Sequence, residues 1–585
     1  MQTQFTRVFD ILHYQKGRYA QNNAINTFAN ERWNATSINN FITKADNLSC
    51  WLISKRFKKG DTLAIIPQQG NLDWLLIDFA CQQIGVIIIP LHPTYSLEEL
   101  KFILSEITPL LIITANSESL KMVRSVTKSE VLSLDSSFKS AHKYVAKNNE
   151  KEFLESCMEN VIEDDILTIM YTSGTSGKPK GAILTHKNMV SNILFTLAAF
   201  PLKSSKKVMS YLPFSHILER SACYAYLACG ANIYFVRSKD TFAEDFKSAQ
   251  PYFSTSVPRV LEKMYAHLQE QTLAHNMMKR SIVNWALNTA KAYNKHSKKS
   301  IWLTIKLFFA RILVLNKWKN KLGGKLECIV VGAASLRPEI ARMFSASGIK
   351  IREGYGMTEA SPLISLNRFS PGLNRFGTVG IPIPAMDLQI VDKNEDDEGE
   401  ILIKGPNVMQ GYYKRPELNK QVFTEDGWFR TGDVGKLVDG QFLQITDRKK
   451  DIFKTSSGKY VAPQPIENEL NSSLFILQSL VIGFARPYVI ALIVPDYSIL
   501  KEWCIEESIH WTSPTYMVHN IKVIEKLLSE IAVINEALPY YKHIRNFVLC
   551  DEEWTPENKM LTGTLKPIRK ALLEQNSKEI DKLYE

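Results

Sequence analysis

No pair of cysteines in this chain is spaced for a metal site or a redox couple. The eight cysteines (50, 81, 157, 223, 229, 328, 504 and 550) are scattered, with no CxxC and no Cys/His cluster. They read as reduced, mostly buried thiols of a cytoplasmic protein, which excludes a disulfide scaffold and a zinc ribbon. Residues 1–10 lack a charged leader followed by an apolar core, so no signal peptide is expected. The apolar run at 301–315 is interrupted by Lys306 and Arg311 and falls short of the ~20 residues a crossing helix needs. Internal repeats and low-complexity tracts are missing. Most unusual is a local absence: from 271 to 325 there is no Asp or Glu.

That last absence sets the charge distribution. The segment holds twelve Lys or Arg, whereas the whole chain has a formal net charge of +11, so the remainder is about neutral. A basic, apolar helical segment of this kind either packs on its domain with a solvated basic face or lies on an anionic membrane surface, which would put the protein peripherally on the inner face of a membrane. Nucleic acid is not an expected partner, because no aromatic-interleaved basic motif or known binding module is present. Hydrophobic residues at 45% and charged residues at 22% are ordinary for a globular protein, and 585 residues imply at least two domains.

The first half alternates strands and helices. Strands are expected at 62–66, 86–91 and 110–114, and helices at 72–84, stopped by Gly85, and 96–106, opened by a Ser96/Glu99 capping box. This βαβαβ order predicts mainly parallel sheets with helices on both faces. It recurs at 326–331, after Pro338, and at 349–352. After about residue 375, Gly, Pro and short alternating strands take over, including a hairpin at 435–445 with Asp439-Gly440 in its turn. Helical patterns resume near 465–470 and 521–538. The expected class is α/β: a large N-terminal domain (1–446) of mainly parallel sheets with a β-rich subdomain, a hinge at 447–450, and a smaller, mobile α+β domain at 451–585.

The most informative stretch is Tyr171-Thr-Ser-Gly-Thr-Ser-Gly-Lys-Pro-Lys180, followed by Gly181. An apolar run precedes it and a helical run starts at Thr185, so the order reads strand, loop, helix. Gly174 and Gly177 let the backbone approach an anion closely. The hydroxyls of Thr172, Ser173, Thr175 and Ser176 can donate to phosphate oxygens, and Lys178 and Lys180 add positive charge. Composition alone equally describes a polar surface turn. The loop is not a Walker A loop, because two residues rather than four separate Gly174 from Gly177, and Pro179 follows Lys178. A nucleotide triphosphate is the reactant to which it points.

The order of residues here resembles the phosphate loop of the acyl-adenylate-forming (AMP-dependent synthetase/ligase) superfamily, whose members activate a carboxylate with ATP. Four further strings extend the resemblance. Gly354-Tyr-Gly-Met-Thr-Glu359 is similar to the family's second core motif, which implies that Tyr355 stacks on adenine beside Gly356, that Thr358 bonds the α-phosphate, and that Glu359, with Thr175, binds Mg2+. By itself that string could be a simple turn. Gly427-Trp-Phe-Arg-Thr-Gly-Asp433 implies a ribose-binding Asp433, with Arg448 as a second ribose or phosphate contact and Lys450 at the hinge. The loop around Ser457, Gly458 and Lys459 resembles the one that serves the thioester step, although many relatives carry two adjacent glycines there. Lys566, followed by Pro567, matches the C-terminal catalytic lysine, a mobile cation able to bridge the carboxylate and the phosphate.

Within the superfamily, Tyr211-Leu-Pro-Phe-Ser-His-Ile-Leu-Glu-Arg220, Thr255-Ser-Val-Pro-Arg259 and the basic insertion at 271–325 resemble long-chain fatty acid–CoA ligases. His216 would then line the acyl or adenylate pocket, or else be a hydrogen-bonded core histidine. Gly332, Ala333 and Ala334 would lie beside adenine and the acyl chain. The resemblance spans roughly 40–570 and implies formation of a fatty acyl-AMP and its transfer to coenzyme A, with ATP, Mg2+, fatty acid and coenzyme A as the small molecules involved. An acyl-AMP or acyl-carrier-protein ligase and a non-catalytic lipid-binding protein are the competing readings. Acyl chain length, oligomeric state and pathway are not encoded in these strings.

Overall fold

The structure is a computed structural model and describes residues 5–66, 70–172, 178–200, 202–273, 277–293, 301–555, 557–562 and 566–585. The chain divides into two compact units. One comprises residues 1–388, 403–429 and 438–443, and the other 389–402, 430–437 and 444–585.

The first unit is built on two large sheets. One has the order Gly411–Tyr412, Lys180–Thr185, Ile166–Thr172, Ile87–Pro90, Thr62–Ile66, Leu111–Thr114, Glu130–Ser133. Its last five strands run parallel, and the first two are antiparallel additions. The second sheet has nine strands, with a parallel centre made by Ile25–Ala29, Asn232–Phe235, Lys207–Ser210, Phe253–Ser256, Cys328–Val331 and Lys350–Gly356. Strands buried on both faces account for the unbroken apolar runs, such as the fully buried Ile87–Pro90 and Leu111–Thr114.

Local signals set the connecting helices. Asn71 caps the helix Leu72–Gln83 by accepting from the Trp74 N–H at 2.9 Å. Ser96 and Glu99 form the expected capping box, with the Ser96 N–H donating to Glu99 Oε2 at 2.8 Å and the Glu99 N–H to Ser96 Oγ at 3.2 Å. The helix they open, Leu97–Ile107, buries Leu100, Ile103, Leu104 and Ile107, one face of a 3.6-residue repeat. The 435–445 hairpin turns at Asp439 and Gly440, both with positive φ (51° and 69°), as a two-residue turn between twisted strands requires.

One expectation is corrected. The phosphate-type loop is not followed directly by a helix. Lys180–Thr185 is a strand paired antiparallel with Ile166–Thr172, and only then does the helix His186–Ala199 begin, capped by Thr185. The phosphate-type loop therefore connects two paired strands, and the helix begins only after the second of them. Gly181 makes this pairing possible, because a Cβ there would lie 2.6 Å from Ile169 Cγ2 and 3.1 Å from Tyr171 Cζ.

The basic insertion folds as the helices Pro258–Leu273, Met277–Lys291 and Ile301–Ala310, a π-helical turn Arg311–Leu315, and Asn316–Lys321. Leu307, Ala310, Val314, Leu315 and Trp318 enter the same core as Ile329, Val331 and Phe344. No helix among the described residues is long and apolar enough to cross a membrane. All eight cysteines are unpaired thiols.

The second unit centres on a three-stranded sheet, Ile476–Ile482, Val489–Pro495 and Ile544–Leu549. One face packs on the helices Pro463–Leu470 and Ile521–Glu536, and the other on the C-terminal segment through Trp554, Leu561, Leu572 and Ile580. A four-stranded sheet takes the order Asp387–Val391, Gly399–Lys404, Phe429–Val438, Phe442–Arg448.

Candidate active site

In the first unit the 166–185 hairpin brings Lys180 to Glu359. The strand Lys350–Gly356 leaves its parallel neighbour and pairs antiparallel with Leu363–Leu366, and this reversal places Thr358 and Glu359 on a single 3-10 turn. Gly356 is required at the bend, since a Cβ would sit 2.2 Å from the Pro362 carbonyl oxygen. The Glu359 carboxylate is only 6% exposed and lies 3.7 Å from Lys180 Nζ. Tyr412 stands between them: its hydroxyl donates to Glu359 Oε1 at 2.7 Å and accepts from Lys180 Nζ, whose ammonium also lies 4.1 Å from the centre of the Tyr412 ring. The turn is held from behind, with the Met409 N–H donating to the Glu359 carbonyl and the Asn407 amide to the Ala360 carbonyl.

Sequence reasoning did not single out Tyr412. Its signal was weak, a tyrosine after Gly411 in a two-residue edge strand, and its importance comes only from the register that puts Tyr412 opposite Ala182.

Lys178 and Lys180, together with Arg415, line a cleft whose apolar walls are Phe102, Pro179 and Leu418. Arg415 is paired with Glu106, which also accepts a hydrogen bond from the Tyr171 hydroxyl at 2.7 Å. Lys178, Lys180 and Arg415 bring three cations to this cleft, with Lys180 and Arg415 also facing Glu359 and Glu106. Thr172 is half-buried at the end of its strand; Ser173, Gly174, Thr175, Ser176 and Gly177 lie outside the described residues.

Tyr355 and Thr358 are half-buried. Gly332 ends the strand Cys328–Val331, and a Cβ there would meet nothing closer than 3.6 Å. Protein packing therefore does not demand a glycine at 332, and a small residue there leaves room for a bound group. Ala333 carries a left-handed backbone (φ 71°), with Ala334 beside it on the exposed side.

His216 caps the helix Ile217–Ala228 without a side-chain capping bond, and its ring lies 5.0 Å from that of His92. Burial and the neighbouring His216 pull His92 down to about 4, so it is neutral at physiological pH. His92 was another residue the sequence reading passed over. Its signal was its place just beyond a parallel strand, where open sheets bind ligands.

The two strings that carried the long-chain resemblance meet each other. The Thr255 hydroxyl donates to Glu219, and the Tyr211 hydroxyl to Ser256 Oγ at 2.8 Å. Glu219 is pushed up to about 7 by burial. Arg220 is completely buried and pairs with Asp78 at 2.6 Å, while its Nη1 donates to Thr168 on the strand that leads into the phosphate-type loop.

In the second unit Asp433 is buried and pairs with Arg448 (Nε–Oδ1 2.9 Å). The two are held in register by the Lys449 N–H, which donates to the Gly432 carbonyl at 2.9 Å. A carboxylate is the acceptor type that a ribose diol requires. Asp447 accepts from the backbone N–H groups of Arg448 and Gln464 and is pushed up to about 6 by burial. Lys450 is exposed in the turn that follows. Ser457, Gly458 and Lys459 form the tip between the short strands Phe453–Lys454 and Tyr460–Val461, with Gly458 at φ 82° and Ser457 Oγ 2.9 Å from Thr455 Oγ1.

Lys566 is exposed, and its backbone is tied to Thr562 in both directions: the Thr562 N–H donates to the Lys566 carbonyl, and the Lys566 N–H to Thr562 Oγ1. Arg569 anchors the base of this loop by donating to Glu467 and to the Val481 carbonyl. The Lys566 and 457–459 loops thus belong to one unit, their bases linked through the helix Pro463–Leu470.

Among the described residues no group of three His, Cys, Asp or Glu could cage a metal ion. The set does fit Mg2+ of the kind that takes one carboxylate and completes its shell with phosphate oxygens and water. Glu359 offers that single carboxylate, with one oxygen held by Tyr412.

Residues 13–413 match the family model of the AMP-binding enzymes, and residues 450–585 that of the AMP-binding enzyme C-terminal domain. Long chain acyl-CoA synthetase 6, peroxisomal, of Arabidopsis thaliana is 32% identical over 550 residues, covering 88% of this chain and 76% of its own. Long-chain-fatty-acid–CoA ligase 5 of Mus musculus is 30% identical over 580 residues, covering 93% and 83%. Among solved structures, ATP-bound MatB from Rhodopseudomonas palustris superposes with a TM-score of 0.72 at 21% identity, covering 98% of this chain and 99% of its own. That likeness establishes the fold.

Proposed function

The chain belongs to the AMP-binding enzyme family, and we propose that it activates a long-chain fatty acid with ATP and passes the acyl group to coenzyme A. The observation that carries this reading is the Lys180–Tyr412–Glu359 cluster at the base of the phosphate-type hairpin. It joins a cation for phosphate oxygens to a buried carboxylate for a metal. The names of the relatives at 30–32% identity support the acyl class and the acceptor.

In the first half-reaction a fatty carboxylate oxygen attacks the α-phosphorus of ATP. The bond to the bridging oxygen breaks, giving acyl-AMP and pyrophosphate. Residues 172–180 hold the phosphates, Thr358 bonds the α-phosphate, and Lys566 stabilises the charge shared between carboxylate and phosphate. Glu359, with Thr175, would hold Mg2+, which when bound lessens the repulsion between the incoming carboxylate and the triphosphate. Asp433 and Arg448 orient the ribose, Tyr355 and Gly356 face adenine with Gly332, Ala333 and Ala334, and His216 lines the acyl side.

In the second half-reaction the thiol of coenzyme A loses its proton and attacks the acyl carbonyl, and AMP leaves. Residues 451–585 turn about Lys450, in a hinge at 447–450, relative to residues 1–446. The turn withdraws Lys566 and presents Ser457, Gly458 and Lys459. No cysteine or serine nucleophile is required.

The test is pyrophosphate release across acids of increasing length, with free coenzyme A and acyl carrier protein as alternative acceptors. The reading expects release that rises with chain length and a coenzyme A thioester as product. Thioester formation only on the carrier protein would reassign the acceptor, and no release with any fatty acid would end the proposal.

A further inference from the structure

The helices of the basic insertion carry an apolar face that the folded chain leaves open. Ile301, Trp302, Phe308, Phe309, Ile312 and Leu313 are 78%, 73%, 58%, 51%, 52% and 45% exposed. They recur every three or four residues along Ile301–Ala310 and the π-helical turn that continues it, opposite the buried line of Leu307, Ala310, Val314 and Trp318. Met277–Lys291, which packs against Ile301–Ala310, repeats the pattern. Met278, Ile282 and Trp285 are exposed four and three residues apart, while Ala286, Leu287 and Ala290 are buried. A surface helix ordinarily turns polar residues outward, and one that is apolar on both faces belongs inside something. Scattered exposed apolar residues need no explanation, but a run of two isoleucines, two phenylalanines and a tryptophan on consecutive turns does.

The charge of the segment selects what covers this face. Residues 271–325 contain twelve Lys or Arg and no acidic residue. Lys306 interrupts the apolar stripe itself and is exposed, as are Lys279 and Lys317 on either side. A second copy of this chain docked face to face would set the exposed Lys279, Lys306 and Lys317 of one copy against those of the other, and the segment brings no acidic residue of its own to meet them. A lipid surface of negative charge meets both demands at once. Its phosphates take the heads of the exposed lysines, and its acyl boundary takes the tryptophan and phenylalanine rings. The helices are too short to cross.

We propose that Met277–Lys291, Ile301–Ala310 and the turn Arg311–Leu315 form a monotopic docking surface for an anionic bilayer. The face is made by residues 277–315, none of which belongs to the Lys180–Tyr412–Glu359 cluster, so membrane docking and catalysis are separable by mutation. The inference does not depend on the identity of the acid activated.

Co-sedimentation of the full chain with vesicles tests it, using phosphatidylcholine alone and phosphatidylcholine mixed with phosphatidylglycerol. Binding is expected only to the mixed vesicles and should weaken as salt rises. Lys306→Gln and Lys317→Gln should each weaken binding about fivefold. The double variant Trp302→Ser/Phe309→Ser should weaken it roughly tenfold or more, while keeping the thermal midpoint and the pyrophosphate release rate of the parent in vesicle-free solution. Unchanged vesicle binding by that double variant would overturn the proposal, since charge alone would then account for the attachment. So would equal binding to neutral vesicles. Absence of vesicle binding together with concentration-dependent self-association in sedimentation velocity would assign the face to a second copy of the chain.

Discussion

Replacing Tyr412 by Phe removes one oxygen from the contact among Lys180, Tyr412 and Glu359. In the parent that oxygen donates to Glu359 Oε1 at 2.7 Å and accepts from the Lys180 ammonium, which is itself 3.7 Å from the carboxylate. With Glu359 only 6% exposed, water has little access to replace it. The ring stays, and with it the 4.1 Å approach of Lys180 to its face, so the edge strand should hold its place. A hydrogen bond to a charged group contributes about 1.5–3 kcal/mol. If the whole of that is spent on orienting the carboxylate for the metal–nucleotide complex, kcat/KM for MgATP in adenylation should fall about 10- to 150-fold. The assay is pyrophosphate release at varied MgATP and, separately, varied fatty acid, with thioester formation from supplied acyl-AMP as the control. The expected pattern is a loss confined to adenylation, with KM for the acid unchanged. Wild-type kcat/KM for MgATP would refute the role given to the cluster. Equal loss in both half-reactions would show that the variant had merely perturbed the fold.

Three further outcomes follow from the same reasoning. Lys566→Ala should abolish acyl-AMP formation yet still convert supplied acyl-AMP to thioester; loss of both would remove Lys566 from the phosphate step. Asp78→Ala strands the fully buried Arg220 without its carboxylate and should cost about 3–5 kcal/mol of stability, read as a lower urea midpoint; an unchanged midpoint would contradict the pairing. Glu219, pushed up to about 7 from 4.5, holds its proton in the folded state after the unfolded chain has lost it. Its contribution is therefore fully present below about pH 4.5 and lost as pH rises to about 7, a difference on the order of 3 kcal/mol. Glu219→Gln should remove that slope and be the more stable protein at alkaline pH. Because His92, lowered to about 4, produces the opposite slope between about pH 4 and its ordinary value of 6.5, the measurement is the difference between parent and variant unfolding free energies across pH. A difference that does not change with pH would show that Glu219 is not held protonated.

The sequence by itself determined the family and much of the secondary structure, because those signals are local. Capping at Ser96, the turn at Asp439-Gly440 and the apolar runs of the parallel strands each depend on a few neighbouring residues, and the structure places those elements where the spacing put them. The motif strings are local in the same sense, which is why family membership was legible from them. The strand Lys180–Thr185 was missed because Lys180 and Gly181 read as the end of the phosphate-type loop and Thr185 as the start of a helix, leaving too few residues between them to signal a strand; its pairing with Ile166–Thr172 settled the matter. Contacts between distant residues had no sequence signal at all. Tyr412 reaches Glu359 and Lys180 across 53 and 232 positions, and Arg220 reaches Asp78 across 142. The net charge of residues 271–325 could be counted from the sequence, but which side of each helix faces outward could not. Helical periodicity describes a stripe only when the other face is polar. In Ile301–Ala310 both faces are apolar, and only packing against the core decided which one was left for another surface to cover.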